Sequence, residues 1–542
     1  MLQNYSLFVG PNNSGKSSMI NAIRAFYEKD GFKFKKDVDF PLIKTDDNES
    51  WIEIIFQLTK EEDDSLADEY RQKNGQLIVK KFFETETKID GKSANGIIFG
   101  YHPDGTFSTF YGAKNVQAGK FGDIIYIPAV SRVDEHTKLT GPSALRDLLQ
   151  DIMSSTMADS DNYKTFKEQV SCFSEGVCQE KTKEGHSIQS FEKKLNESLN
   201  PWGVNFQIQL RTPLVNEIVK SMLSYEFDDL THGKPQEIDS YGSGFQRHFI
   251  YSLINISSQY STKKEKKKPK DFTPSMTLLL FEEPEAFLHP PQQDILARNL
   301  MKFSNADEKQ VICSTHSPHF VSRNSGNIPG LIHFSRDKGI IKTYQITEDK
   351  WNTLIDANQT INKIAEKYPK MKKKLSEDDL KPEMEAIKQF LWLNPDRCGL
   401  FFANHVLLVE GPTEVALIYK LIGDGKIKNS DCGLYALDCF GKYNIHRFMN
   451  LISCLGINHS VIHDDDNNHD EHSELNQLIE ESKSSFTFSI KQISKDLESF
   501  LSIPYAGADH RKPQHVLYLY ESGQIDPKKI DTFCAMIDSC LP

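Results

Sequence analysis

Gly10-Pro11-Asn12-Asn13-Ser14-Gly15-Lys16-Ser17 follows the apolar run Leu7-Phe8-Val9 and precedes a helical pattern opening with Ser18-Met19-Ile20-Asn21-Ala22-Ile23. Strand, glycine-bounded loop and helix in that order read as a phosphate-binding loop. Gly10 and Gly15 let backbone N–H groups close on phosphate oxygens at a helix N-terminus, with Asn12, Asn13 and Ser18 in the same lining. Lys16 would reach the β- and γ-phosphates, and the Ser17 hydroxyl would face magnesium. The fold class this predicts is α/β, with ATP as the ligand.

Working outward, Leu278-Leu279-Leu280-Phe281 runs into Glu282-Glu283-Pro284-Glu285-Ala286-Phe287-Leu288-His289-Pro290. A buried strand ending in paired acids presents them at the carboxyl edge of a sheet, where a phosphate loop also sits. Glu282 would bind magnesium, and Glu283 would orient or deprotonate the attacking water. Ser240-Tyr241-Gly242-Ser243-Gly244-Phe245-Gln246-Arg247 opens another helical run. It resembles the signature motif that one ABC-type subunit offers to ATP held by its partner, with Ser243, Gly244 and Gln246 at the nucleotide. Val311-Ile312-Cys313-Ser314-Thr315-His316 is a short strand ending at a histidine, like the switch histidine that senses γ-phosphate in ABC heads. If loop and signature act on one nucleotide from two chains, the protein is a homodimer or higher homo-oligomer.

Composition sets broad bounds. With 542 residues, 38% apolar and 26% charged, the chain has ample material for several globular domains. No apolar run approaches the roughly 20 residues that cross a bilayer, and no secretory layout precedes the loop, so a cytoplasmic location without membrane contact is expected. Nine cysteines without a C-x2-C pair argue for reduced thiols. A net charge of -12 disfavours a simple basic DNA coat but leaves room for a local basic groove.

Along the chain, 51–58 and 77–83 alternate as strands in a mainly antiparallel region, 124–129 reads as a buried strand, and about 139–200 reads as a helical insertion. Lys263 to Lys270 is a cationic, proline-containing stretch, open to reading as a solvated linker or a nucleic-acid contact. The expected division is an ABC/SMC-like ATPase domain at 1–345, a helical linker at 346–403, and a further α/β domain at 404–542.

That last part carries a second constellation. His405-Val406-Leu407-Leu408-Val409-Glu410-Gly411-Pro412-Thr413-Glu414 is a strand, then Glu-Gly, then a helix bearing another Glu; Ser460-Val461-Ile462-His463-Asp464-Asp465-Asp466 is a second strand ending in D-x-D. Glu410, Glu414, Asp464 and Asp466 would project from the carboxyl ends of neighbouring parallel strands and hold one or two Mg2+ or Mn2+ ions. Such ions activate water and stabilise the leaving oxygen in phosphodiester cleavage. Strand alternation points Asp465 away from its neighbours. Glu498 as a further metal ligand and Lys512 as a countercharge to the scissile phosphate could complete the site, or form a surface salt bridge. His459, His463, His469 and His472 fit no standard zinc spacing.

The arrangement from 404 onward resembles the Toprim domain of topoisomerases, bacterial primases and certain nucleases. Over nearly the whole chain, the motifs GPNNSGKSS, YGSGFQR, LLLFEEPEAFLHP, STHSPHF, FFANHVLLVEGPTE and the D-x-D after VIH resemble the OLD (overcoming lysogenization defect) nuclease family. That resemblance implies a prokaryotic or phage ATPase-nuclease that cuts or nicks DNA with divalent metal, often in anti-phage defence. It also implies that a defence-system partner protein or an RNA–DNA element could restrain the enzyme. Family members generally carry a β hairpin ahead of the loop, where this chain has nine residues. ATP is therefore expected to be held chiefly through its phosphates, with weak hydrolysis. The competing expectation is an SMC-like ATP-driven DNA clamp or scaffold with a non-cleaving Toprim fold.

Overall fold

The computed structural model describes the chain except for residues 29–30, 42, 44, 46, 90–91, 113–120, 130–143, 159, 209–210, 212, 229–232, 234, 261–271, 273, 275, 324–326, 375–380, 382–383, 386, 389–391, 429–432 and 467–469. The cationic stretch at 263–270 and His469 lie outside the described residues. Two compact units form, one of Met1–Ala129 with Lys266–Pro542 and one of Val130–Glu265.

Two-residue bridges aside, the strands of the first unit are β1 (Tyr5–Val9), β2 (Ser50–Gln57), β3 (Gln76–Glu84), β4 (Ile98–Tyr101), β5 (Phe107–Thr109), β6 (Asp123–Ile127), β7 (Thr277–Glu282), β8 (Lys309–Ser314), β9 (Leu331–Asp337) and β10 (Ile340–Gln345). They continue with β11 (His405–Val409), β12 (Leu434–Asp438), β13 (His459–Asp464) and β14 (Thr487–Ile493).

A six-stranded sheet takes the order β10-β9-β1-β8-β7-β6, parallel except for β10. All five residues of β1 are buried, which fits the continuous apolar run of a strand covered on both faces. β2 instead alternates exposed and half-buried residues, as one face of an antiparallel sheet β2-β3-β4-β5 does. Phe8, Ile20, Phe26, Leu77, Val79, Phe121 and Leu280 share one core, so the helix after the loop packs between the two sheets. That helix, Lys16–Tyr27, buries Ile20, Ile23, Phe26 and Tyr27 at helical spacing.

A second parallel sheet runs β12-β11-β13-β14. Leu407, Val409, Leu417, Ile462 and Ile493 form its core with Phe533 and Ile537 of the last helix, Pro527–Asp538. The segment before β11 is tied to this sheet's helix Ile445–Cys454 by a buried polar network. Glu385 accepts from Arg447 Nε and from Asn358 Nδ2, each at 3.1 Å, and the His446 ring meets the Asn358 carbonyl at 3.2 Å.

The second unit is helical, with Ala144–Ala158, Asp161–Gln179, Ile188–Leu199, Val215–Ser221 and Ser243–Tyr260. The insertion expected at 139–200 falls inside it. Leu145 and Leu253 pack with Leu149, Ile152 and Phe249, joining its first and last helices.

Candidate functional site

Register places the phosphate loop and the acids on one sheet edge. Glu282 pairs with Ser314 across β7 and β8, Phe8 pairs with Ser314 across β1 and β8, and the Thr315 amide donates to the Phe8 carbonyl at 3.1 Å. The chain therefore leaves β1, β7 and β8 side by side. Gly10 has φ 143° and Gly15 φ 100°; a Cβ on Gly10 would lie 2.3 Å from the Phe334 carbonyl oxygen. Backbone there approaches backbone, which only glycine permits.

Lys16 Nζ donates to the carbonyls of Gly10 at 2.7 Å and Pro11 at 2.9 Å, while Asn12, Asn13, Ser17 and Ser18 are exposed along the loop. Burial pulls the Lys16 ammonium down to about 8, against the pull of Glu283 and Glu285. Tyr126 of β6 donates its hydroxyl to Glu282 Oε2 at 2.8 Å, and Arg24 lies 3.5 Å over the Tyr126 ring. The other oxygen, Glu282 Oε1, is buried without a hydrogen-bond partner. Glu283 adopts φ 43°, a left-handed conformation costly for a side chain of its size, and faces His316 Nε2 at 3.5 Å. Burial and the nearby Lys16 charge lower the His316 pKa. Glu285, not assigned a role from the sequence, accepts the His316 backbone amide at 2.6 Å.

In the second unit, Ser243 and Gly244 open the helix Ser243–Tyr260, and Gln246 Nε2 braces the preceding turn through the carbonyls of Tyr241 at 2.8 Å and Ile238 at 3.2 Å.

The second constellation lies where the order of the C-terminal sheet reverses. β11 is followed in sequence by β12 on one side and then by β13 on the other, and open α/β sheets bind ligands outside such a switch point. Glu410 leaves β11 and Asp464 ends β13; the Asp464 amide donates to Glu410 Oε1 at 2.8 Å. Pro412 and Gly411 start the helix Pro412–Gly423, turning Glu414 back so that its Oε2 accepts the Gly411 amide at 3.1 Å. Glu498 is buried beside it, 3.3 Å from Lys512 Nζ. Asp465 turns aside, accepting the Lys495 amide at 2.9 Å.

Electrostatics reflect this crowding. Burial, with Glu414 and Asp466 nearby, raises Glu410 to about 7 against the Asp464 amide and Lys442. Burial and Glu498 raise Glu414 to about 7, and burial with Glu410, Glu414 and Asp466 raises Asp464 to about 9. Charge compressed in this way is relieved by protons or by a cation, and an all-oxygen donor set suits magnesium or manganese. The acids are neighbours and not a closed cage: among the described residues, no three His, Cys, Asp or Glu side chains already enclose an ion position. Lys442 is the residue that motif reading passed over. Its ammonium, almost wholly buried, reaches the Asp464 carbonyl at 2.5 Å and Asp466 Oδ2 at 3.3 Å.

An ATPase edge and a carboxylate-bearing parallel sheet on one chain define an ATPase joined to a Toprim domain. The family described as AAA ATPase domain matches residues 79–321, and that described as Overcoming lysogenization defect protein-like, TOPRIM domain, matches residues 401–466. Old nuclease of Escherichia phage P2 is 26% identical over 487 residues, covering 86% of this chain and 74% of that relative. Endonuclease GajA of Bacillus cereus (strain HuB5-5) is 26% identical over 299 residues, 52% of this chain and 39% of the relative. OLD nuclease of Thermus scotoductus is 25% identical over 245 residues, 45% of this chain and 38% of the relative. The chain thus joins an AAA ATPase domain to an OLD-like Toprim domain, and over most of its length it is similar to Old nuclease.

Proposed function

We propose that this protein is an ATP-binding, divalent-metal-dependent DNA endonuclease or nickase acting in prokaryotic anti-phage defence. The observation that carries the reading is the meeting of Glu410 and Asp464 at the switch point of a parallel sheet, with Glu414 and Glu498 beside them. The relatives named as nucleases supply the direction of the chemistry and its substrate class.

In this reading Glu410, Glu414, Asp464 and Asp466, with Glu498 alongside, would hold Mg2+ or Mn2+. Metal bound there activates water and steadies the leaving oxygen of a phosphodiester. Lys512, paired with Glu498, stands ready to exchange that carboxylate for a substrate phosphate. The raised acids are depleted of protons as metal or pH draws them into the ionised form, so cutting rises with pH. At the other edge Lys16 and Ser17 bind the nucleotide phosphates. Glu282 keeps one unpartnered oxygen for a metal, and Glu283 with His316 holds the water position. Ser243, Gly244 and Gln246 act on the nucleotide of a second copy, which makes the working form a homodimer or larger.

The test incubates supercoiled plasmid with the protein and Mg2+ or Mn2+, with and without ATP. Nicked or linear product is expected. DNA left intact under every condition would overturn the nuclease reading in favour of an ATP-driven clamp.

A further inference from the structure

Lys442 lies in a tightly shaped turn. β12 ends at Asp438, and Phe440 (φ 57°) and Gly441 (φ 97°) then take left-handed conformations in succession. The Gly441 amide donates to the Glu410 carbonyl at 2.7 Å, and Asn444 closes the turn onto the Gly441 carbonyl at 3.1 Å. Phe440 is a bulky residue in a region that costs it conformational energy, so surrounding contacts must hold it there. They are present: the Arg397 guanidinium lies 3.7 Å over the Phe440 ring and grips Asp438 through both carboxylate oxygens at 2.7 and 2.9 Å. The whole turn is therefore braced against β11 and β12, and its product is one ammonium delivered inward.

That ammonium has 3% of its side chain exposed, and a buried charge is tolerated only when paired and hydrogen-bonded. Its partners are the Asp464 carbonyl and the Asp466 carboxylate, two residues apart on the strand end that carries the D-x-D. His472 Nδ1 also faces Asp466 Oδ2, at 3.4 Å. Asp466 itself sits at φ 48°, so the strand end is bent sharply, and a clamp across the bend fixes the direction in which the Asp464 side chain leaves β13.

We propose that Lys442 is a positioning residue of the Toprim site: by bridging the Asp464 carbonyl and the Asp466 carboxylate, it sets the D-x-D turn in the geometry that receives the divalent ion with Glu410. The inference rests on the metal-site reading above and assigns to this turn a task that the carboxylates alone do not perform. It competes with a plainer role, in which Lys442 is only a countercharge. The two differ in sign. Removing a countercharge leaves the acids more negative and tightens metal binding, whereas losing a positioning partner of metal ligands weakens it, by about 10- to 100-fold.

The experiment titrates Mn2+ into the full chain without nucleotide, followed by electron paramagnetic resonance, and takes as the site's own signal the part removed by Glu410→Gln. Lys442→Met, which keeps the length and apolar stem, is expected to weaken that binding about tenfold or more with an unchanged unfolding temperature. Lys442→Arg should recover part of the loss. If Lys442→Met does not fold, Lys442→Leu, shorter and likewise without a donor, carries the same test. Unchanged or tighter Mn2+ binding overturns the proposal, as does a Mn2+ signal that Glu410→Gln leaves intact. A weakened Mn2+ signal together with uncut plasmid in the wild type would sustain Lys442 and remove only the nuclease reading.

Discussion

Glu410 accepts the backbone amide of Asp464 at 2.8 Å, so the acid of one strand orients the strand end that carries the other. Removing the Glu410 side chain takes away both a donor to metal and this brace. Glu410→Ala is expected to lower plasmid cleavage by at least about 100-fold, the upper end of what losing a mere outer partner costs. Fluorescent ATP-analogue binding should stay at the wild-type level, because Lys16 belongs to a separate sheet edge. A variant that still cuts with Mg2+ would refute the assignment.

Stability should depend on pH in a direction set by the same acids. Glu410 and Glu414, raised to about 7, and Asp464, raised to about 9, hold protons in the folded chain that the unfolded chain has released. Folding is therefore favoured by these groups at low pH and loses their support as pH climbs through about 7 and then 9. His333, His405 and His463, each lowered to about 4 chiefly by burial, act oppositely below about 6.5. The acid effect stands clear between that point and about pH 8, where Lys16, lowered to about 8 by burial, begins to act oppositely. In chelator, the unfolding temperature should fall between about pH 6.5 and 8, and the stabilisation conferred by Mg2+ should grow across the same window. A Mg2+ effect that is flat with pH would contradict this.

The two loop glycines should differ in tolerance. A Cβ at Gly15 would lie 2.3 Å from the Cδ1 of Ile341, the movable end of a side chain, whereas one at Gly10 meets the backbone oxygen of Phe334 at the same distance. Both positions carry a backbone strain of about 1–3 kcal/mol for alanine. Gly10→Ala is expected to lose more nucleotide affinity and more thermal stability than Gly15→Ala, read by calorimetry and thermal unfolding. The reverse order would show that the loop yields at β9.

Glu385 and Arg447 are both about 1% exposed. Glu385→Ala strips a buried guanidinium of its carboxylate and should destabilise the fold by about 3–5 kcal/mol, while Glu385→Leu with Arg447→Met should recover most of that. Denaturant unfolding of the single and double variants separates these outcomes.

Much of the ATPase edge was readable because its groups sit at the ends of short buried runs. Val9 before Gly10, Phe281 before Glu282 and Ser314 before His316 each mark a strand's last residues, and parallel register then brings them to one side. Glu410 and Asp464 are legible for the same reason. Lys442, Glu285 and Tyr126 were not, since each acts through a neighbour supplied by strand order: Lys442 on Asp464, Glu285 on the His316 amide, Tyr126 on Glu282. A single lysine in a Phe-Gly-Lys turn carries no periodic or spacing signal. The Glu385–Arg447 contact was hidden likewise, because reading 346–403 as a helical linker does not name what its residues meet.

The network around Glu385 and Asn358 also decides where the molecule can be divided. A fragment begun just ahead of His405 would contain every candidate acid of the C-terminal site, yet it would leave behind the carboxylate that faces Arg447 and the carbonyl that meets His446. The smallest piece able to keep the C-terminal sheet in its present form starts no later than the helix Glu348–Asn358. Residues between the two sheets thus belong, in folding terms, to the second.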